Sequence, residues 1–131
     1  MTFQVKTRAR SDAVDVTGSV RDAVRASGVQ SGICVVYVPH TTAGITINEG
    51  ADPNVMKDIL DTLERLVPWQ GGYRHMEGNA AAHVKTSIIG SSVQVVVERG
   101  ELVLGTWQRI FLCEFDGPRT RRVLVKVLGE K

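Results

Sequence analysis

Three histidines stand where the sequence predicts polar turns or a helix start rather than an apolar core. His40 follows a β-branched run, His75 lies in a segment with two adjacent glycines, and His83 falls in the first turns of a predicted helix. If Asn79 caps that helix, His83 lies one turn beyond the cap, and a bend at Glu77-Gly78 can return His75 towards it. Imidazoles are ligands for Zn²⁺ and other transition metals. Two interpretations stay open: a histidine-centred metal site, or three ordinary surface histidines.

Two carboxylates stand between a predicted strand and a predicted helix. Asp52 precedes Pro53, and an Asp cap followed by Pro at the first helical position is a strong helix start. That capping role accounts fully for Asp52. Glu49 has no comparable structural task, so it is the better candidate for a general base or a metal ligand.

Several side chains have the chemistry to hold phosphate oxygens, although each also has an ordinary solvent-exposed interpretation. The candidate cations and hydroxyls are Arg74, Lys85, Arg109, Arg119, Thr41 and Thr42. The stretch from Arg119 to Arg122 is either a local anion site or a solvated strand end. The chain lacks the phosphate-binding GxxxxGK[ST] loop and the dinucleotide fingerprint GxGxxG, which removes the usual support for P-loop kinases and nicotinamide-dependent dehydrogenases.

Near the C-terminal strands, Trp107 could stack on a heteroaromatic ring while Gln108 bonds its edge, or Trp107 could be a core residue. Cys113 alternates with two phenylalanines, which favours a buried thiol over a nucleophile.

Composition limits the class of protein. The chain has 131 residues, 43% of them hydrophobic and 23% charged, with a net charge of +2. These values predict one domain spanning residues 1–131, with no general affinity for nucleic acid and no membrane span. The first ten residues lack the apolar segment of a signal peptide, so we expect a cytoplasmic protein with reduced cysteines.

The elements that must position these residues follow from hydrophobic periodicity, caps and glycines. Helices are predicted from Thr17 as cap to Ser27, from Pro53 to Pro68, and from Asn79 to about Gly90. Strands are predicted at 3–7, 33–38, 45–48, 93–97, 102–104, 106–115 and 121–128. Because strands and helices do not alternate regularly, we expect an α+β fold with helices against one face of a largely antiparallel sheet.

Ordered motifs along nearly the whole chain resemble one known family. They are His40-Thr41-Thr42-Ala43, Thr46-Ile47-Asn48-Glu49, Asp52-Pro53, His75 with Glu77-Gly78, His83-Val84-Lys85 and Gly105-Thr106-Trp107-Gln108. The sequence resembles the YjbQ family, whose members are often named secondary thiamine-phosphate synthases. The resemblance implies a YjbQ-like α+β subunit in a homotrimer. It also implies a reaction in which hydroxymethylpyrimidine diphosphate joins thiazole phosphate and pyrophosphate is released.

The resemblance further implies roles for individual residues. The divalent metal, Zn²⁺ or Mg²⁺, would be held by His40, His75 and His83. Lys85 would be catalytic, because departure of pyrophosphate leaves positive charge on carbon and calls for cations at the leaving group. Glu49 would also be catalytic, by orienting the metal or the pyrimidine amino group. Substrate contacts would come from Thr41, Thr42, Asn48, Arg74, Trp107, Gln108 and Arg119. Alternatives are a metal-dependent phosphate-ester hydrolase, or a trimeric small-ligand or metal-binding protein.

Overall fold

Eight strands and three helices make up the structure, a computed structural model that describes residues 1–131. The elements in chain order are β1 (Thr2–Lys6), β2 (Asp12–Asp15), α1 (Thr17–Ser27), β3 (Ser31–Tyr37), β4 (Ala43–Glu49), α2 (Pro53–Leu66), α3 (Ala80–Ile89), β5 (Ser92–Glu98), β6 (Glu101–Leu102), β7 (Gln108–Glu114) and β8 (Thr120–Gly129). The α+β class is confirmed. The residue pattern does not predict β2, a four-residue strand with an aspartate at each end.

The strands form two antiparallel sheets. The large sheet has the order β1-β8-β3-β5-β6, and the small sheet has the order β2-β7-β4. Every strand pair is antiparallel, as the irregular order of strands and helices predicts. The last four strands do not form one continuous meander, because β7 crosses to the small sheet while β8 inserts between β1 and β3.

The main core lies between the two sheets. Val123 and Val125 of the large sheet, Ile110 and Leu112 of the small sheet, and apolar residues of α1 belong to one buried cluster. Alternate residues of a strand point to opposite faces, so the intervening residues of β8 are free to face water. Helices α2 and α3 cover the other face of the small sheet, where a second cluster includes Phe111 of β7. The small sheet is therefore the middle layer.

The helix ends correct two of the predicted caps. Asp52 caps α2 as expected, because its Oδ1 accepts a hydrogen bond from the Asn54 amide at 2.9 Å. Thr17 is instead the first residue of α1, and its hydroxyl accepts from the Ile110 amide at 2.8 Å. Asn79 occupies the cap position of α3 but donates its side-chain amide to Asp116 at 2.9 Å. Two side chains predicted to cap helices thus tie those helices to β7 and the residues that follow it.

None of the three helices combines the length and apolar character that a membrane crossing requires.

Candidate functional site

Two of the three histidines lie against each other. The ring centroids of His75 and His83 are 5.1 Å apart, and the rings meet edge to face. Gly78 makes the intervening turn with φ +82°, a conformation that glycine adopts without steric cost. The predicted return of His75 towards α3 is therefore confirmed.

The histidine pair lines a shallow depression of about 360 Å³, together with Tyr73, Arg74 and the first turns of α3. Arg74 is exposed and has no ion-pair partner, whereas His75 Nε2 lies 3.8 Å from a Glu77 carboxylate oxygen. The lining of this depression is mostly apolar, and the two imidazoles and the exposed Arg74 are the groups there that can donate hydrogen bonds to an anion.

His40 lies elsewhere, in the loop between β3 and β4, where its Nε2 accepts a hydrogen bond from the Arg122 backbone amide at 2.9 Å. No group of three or more His, Cys, Asp or Glu side chains in the chain is arranged to hold a metal ion. The structure brings His75 and His83 together, but it does not bring all three histidines into one site within a single chain.

Lys85 is buried, contrary to its expected contact with a leaving group. Its side chain is 1% exposed and forms an ion pair with Glu64 across the α2–α3 interface. Glu64 also accepts a hydrogen bond from Arg10 at 3.0 Å, and the Arg10 guanidinium lies 4.4 Å from the Trp69 ring centre. The carboxylate of Glu64 offsets the desolvation cost of burying the Lys85 ammonium. Lys85 therefore links the two helices and does not present a charge at the surface.

Glu49 lines a groove of about 690 Å³ between α2 and the segment that contains β2. Its Oε2 accepts from the Asp52 amide at 3.3 Å, so the Glu49 carboxylate lies at the start of α2. This groove shares no lining residue with the depression at His75 and His83. Within one chain, Glu49 and the histidine pair thus belong to different surfaces.

The groove is strongly acidic. Six carboxylate residues line it against two cations, above an apolar floor that includes Met56 and Phe111. Burial pushes the pKa of Asp15 upwards, but hydrogen bonds from Thr17 and Arg109 outweigh this and leave the pKa below its ordinary value. The excess of carboxylates over cations makes the groove unfavourable for phosphate groups.

Two of the polar residues expected to contact substrate already form hydrogen bonds within the protein. Thr42 is buried and its hydroxyl accepts from Arg121 at 2.8 Å, whereas Thr41 is exposed. Asn48 is exposed, but its Oδ1 accepts from the Glu49 amide at 2.8 Å. Thr41 is therefore the hydroxyl available to a ligand.

The Gly-Thr-Trp-Gln motif forms the turn that precedes β7. The Trp107 side chain is not in the core, since the residue is 61% exposed, which leaves its ring available for stacking. Gln108 Oε1 accepts from the Gly105 amide at 2.8 Å and so stabilises the turn. Arg109 donates from Nε to Asp15 at 2.8 Å, and its stem lies where a side chain at Gly50 would otherwise be.

Arg119 is turned back onto the loop between β7 and β8. Its Nε donates to the Asp116 carbonyl at 2.8 Å, and one terminal nitrogen lies 3.2 Å from the Asp116 carboxylate. The guanidinium is exposed, so binding a phosphate there would compete with this local ion pair.

One buried network was not identified from the sequence. Glu114 and Arg121 form an ion pair, and both residues are almost completely excluded from solvent. Glu114 also accepts from the Thr7 hydroxyl at 2.8 Å and from the Asp116 amide at 3.0 Å. The alternation of residues along β8 could have indicated that Arg121 is buried, because Arg121 faces the same side of the strand as Val123 and Val125, which are buried.

Burial favours the neutral form of Glu114 and by itself raises its pKa. Hydrogen bonds from Arg121, the Asp116 amide and Thr7 outweigh that effect and bring the pKa below its ordinary value. The pair is therefore an ionised structural link, and only part of the basic stretch from Arg119 to Arg122 is the solvated strand end considered above.

The two cysteines are unsuited to nucleophilic chemistry. Both are buried and unpaired. Burial raises the pKa of Cys34 to about 11 and that of Cys113 to about 12. The thiolate, which is the reactive form, is therefore scarce at neutral pH.

Comparison with known proteins decides the family. The model of the family described as "UPF0047 protein YjbQ-like" matches residues 1–130. The chain belongs to this family. Among UPF0047 relatives, YugU of Bacillus subtilis is 52% identical over 129 residues, with 98% of each chain covered. A UPF0047 protein of Methanocaldococcus jannaschii is 50% identical, with 98% of this chain and 94% of the relative covered.

Solved structures of YjbQ-like proteins share the fold. An uncharacterised YjbQ/UPF0047 protein from Clostridium acetobutylicum has a TM-score of 0.96 and 52% identity, covering 98% of this chain and 99% of its own. A YjbQ-like protein of unknown function from Sulfolobus solfataricus has a TM-score of 0.95 at 38% identity, covering 99% and 96%. The names of these UPF0047 proteins specify the family and no reaction.

Proposed function

We propose that this UPF0047 protein is an enzyme for small phosphorylated substrates, and that its reaction is of the thiamine-phosphate synthase type. The observation that carries the proposal is the contact between His75 and His83 in a depression that the exposed Arg74 also lines. Imidazole and guanidinium groups are donors for phosphate oxygens. The acidic groove at Glu49 is unsuited to them.

In the proposed reaction the diphosphate leaves the methylene carbon of hydroxymethylpyrimidine diphosphate as its carbon–oxygen bond breaks. The thiazole nitrogen supplies the electron pair for the new carbon–nitrogen bond, so the products are thiamine phosphate and pyrophosphate. Arg74 would stabilise negative charge that develops on the departing diphosphate. Trp107 stands at the start of β7, whereas the loop after β7 contacts the start of α3 through Asp116 and Asn79, so within one chain its exposed ring is remote from the depression.

A divalent metal is part of the proposal. His75 and His83 offer two imidazoles, which suit Zn²⁺ better than Mg²⁺. Catalytic zinc sites use three protein ligands, and one chain has no such group. The residues of one chain therefore supply only part of a metal site.

The proposed assembly is a homotrimer, as the family resemblance implies. Helix α3 supports association, because its side chains Val84 and Ile88 are exposed and its sole charged residue, Lys85, is buried. A helix that is apolar on its outer side gains stability when another surface covers it. Light scattering would give the mass of three 14.3 kDa chains if the assembly is correct and of one chain if it is not.

The experiment that tests the function supplies the two phosphorylated precursors separately and together. The proposal predicts thiamine phosphate and pyrophosphate only when both precursors are present. Release of phosphate from either precursor alone would support the hydrolase alternative. Saturable binding without any product, with Zn²⁺ or Mg²⁺ added, would support a binding protein instead.

A further inference from the structure

The hydrogen bond at His40 determines which ring nitrogen carries the proton. The Arg122 backbone amide donates to His40 Nε2 at 2.9 Å, so Nε2 must provide the lone pair. In a neutral imidazole the other nitrogen, Nδ1, then carries the hydrogen. An Nδ1–H group can donate to an anion, but it has no lone pair for a metal ion.

The guanidinium groups of Arg121 and Arg122 lie near His40. The nearby carboxylate of Glu114 is already paired with Arg121 inside the protein. Protonation of Nε2 would place a hydrogen against the Arg122 amide hydrogen and break the hydrogen bond between the amide and the His40 ring.

Beside His40 the outer face of the large sheet is basic. Arg122 is exposed on β8 and stands opposite Gln4 of β1, while Lys6 is exposed two residues further along β1. Side chains at such diagonal positions on one face of a sheet are within reach of each other. The exposed hydroxyl of Thr41 follows His40 directly in the chain.

We propose that His40 Nδ1–H, the Arg122 side chain and Lys6 form a binding site for a diphosphate or phosphate-monoester group. His40 serves this site as a hydrogen-bond donor and not as a metal ligand. This proposal rests on the proposed function, because the site binds the same class of substrate. Its residues differ from those that line the depression at His75 and His83. Two cations and a neutral N–H donor match the charge and the acceptors of a phosphate group.

Nitrogen-15 NMR of the histidine side chains tests the tautomer directly. The wild-type spectrum should show His40 protonated at Nδ1 at neutral pH, and inorganic pyrophosphate should shift the His40 signals. Added Zn²⁺ should leave them unchanged. A lone pair on Nδ1, or a His40 shift caused by Zn²⁺ in the absence of pyrophosphate, would overturn the proposal.

Binding of inorganic pyrophosphate to the full chain, measured by calorimetry, tests the cationic part. Arg122→Glu should weaken this binding by about tenfold or more, as expected for a lost charge-assisted contact replaced by repulsion. Lys126→Glu is the matched control, because Lys126 is exposed on the same face of the same strand and stands opposite Val35 rather than beside His40. Lys6→Glu provides a second variant on a different strand.

Equal losses in the Arg122 and Lys126 variants would contradict a local site and indicate a general charge effect. Unchanged pyrophosphate affinity in both the Arg122 and Lys6 variants would also contradict it. Failure of the proposed function gives a different pattern: pyrophosphate binds and responds to Arg122→Glu, yet the two precursors yield no thiamine phosphate.

Discussion

Glu114 and Arg121 form a buried ion pair that joins the two sheets: Glu114 ends β7 of the small sheet, and Arg121 is the second residue of β8 in the large sheet. Arg121 also donates to the Thr42 hydroxyl at 2.8 Å. The pair therefore fixes the chain just after His40 relative to both sheets. A buried pair of this kind is costly to break, because either partner alone is a desolvated charge.

Removing one partner tests the energetic role of this pair. Glu114→Ala leaves the Arg121 guanidinium buried without its carboxylate, so we expect the free energy of unfolding to fall by about 3–5 kcal/mol. Urea denaturation followed by circular dichroism measures the change. Glu98→Ala, at an exposed position of β5, should change the value by less than about 0.5 kcal/mol. Equal effects in the two variants would contradict the buried role of Glu114.

Acid should destabilise the protein through Glu114. The pKa of Glu114 in the folded state is below the ordinary value of 4.5. Its contribution to the free energy of unfolding is therefore complete above pH 4.5 and is lost as the pH falls through the lower folded-state pKa. Urea midpoints measured from pH 6 to pH 3 should therefore decrease more steeply for the wild type than for Glu114→Gln. Parallel curves would show that Glu114 has the same pKa in both states.

His40 should also make the folded protein less stable as the pH falls. Its pKa is lowered by burial and by two arginines, so the associated stability is complete above 6.5 and is lost as the pH falls through the folded-state pKa. His40→Gln removes the titrating group, and stability just below pH 6.5 should then depend less on pH. Gln94→Ala, at an exposed position of β5, should keep the wild-type slope. An unchanged slope in His40→Gln would contradict the shift.

Lys85 should affect folding and not phosphate binding. Lys85→Met removes the buried partner of Glu64, which retains Arg10, and we expect a loss of about 1–3 kcal/mol in unfolding free energy. Its pyrophosphate affinity should equal that of the wild type. Lys57→Met, at an exposed position of α2, should change neither quantity. Weaker pyrophosphate binding by a fully folded Lys85→Met protein would mean that the ammonium reaches the ligand after all.

The cysteines should resist thiol reagents in the folded protein. With pKa values of about 11 for Cys34 and about 12 for Cys113, the thiolate is scarce at pH 8, and both side chains are buried. Ellman's reagent should modify them slowly, whereas both should react rapidly in guanidinium chloride. A Ser92→Cys variant supplies an exposed thiol as a positive control. Rapid modification of the native wild type would contradict the buried placement.

Local patterns in the sequence were sufficient for most of the elements and for one feature of the site. The Asp52-Pro53 cap and the end of α1 at Ser27 depend on interactions within a few residues, and both were predicted correctly. The approach of His75 to His83 was also predictable, because only the turn at Gly78 separates the loop from α3.

Features that depend on distant segments could not be predicted in the same way. Lys85 was expected to contact a leaving group, but it is buried against Glu64. That burial could not be predicted, because Glu64 is 21 residues away on another helix. The hydrogen bond between His40 and the Arg122 amide joins residues 82 positions apart. Neither partner carries a local signal for the other, since tertiary packing alone brings them together.

We expect the depression at His75 and His83 to act on a phosphorylated substrate. The most direct measurement is thiamine phosphate formation from the two precursors by the wild type, His83→Ala and Lys126→Ala, with folding and mass checked for each. We predict product with the wild type and Lys126→Ala, and a loss of product with a folded His83→Ala protein of unchanged mass. Equal turnover by His83→Ala, or no product from the wild type with either Zn²⁺ or Mg²⁺, would contradict the account.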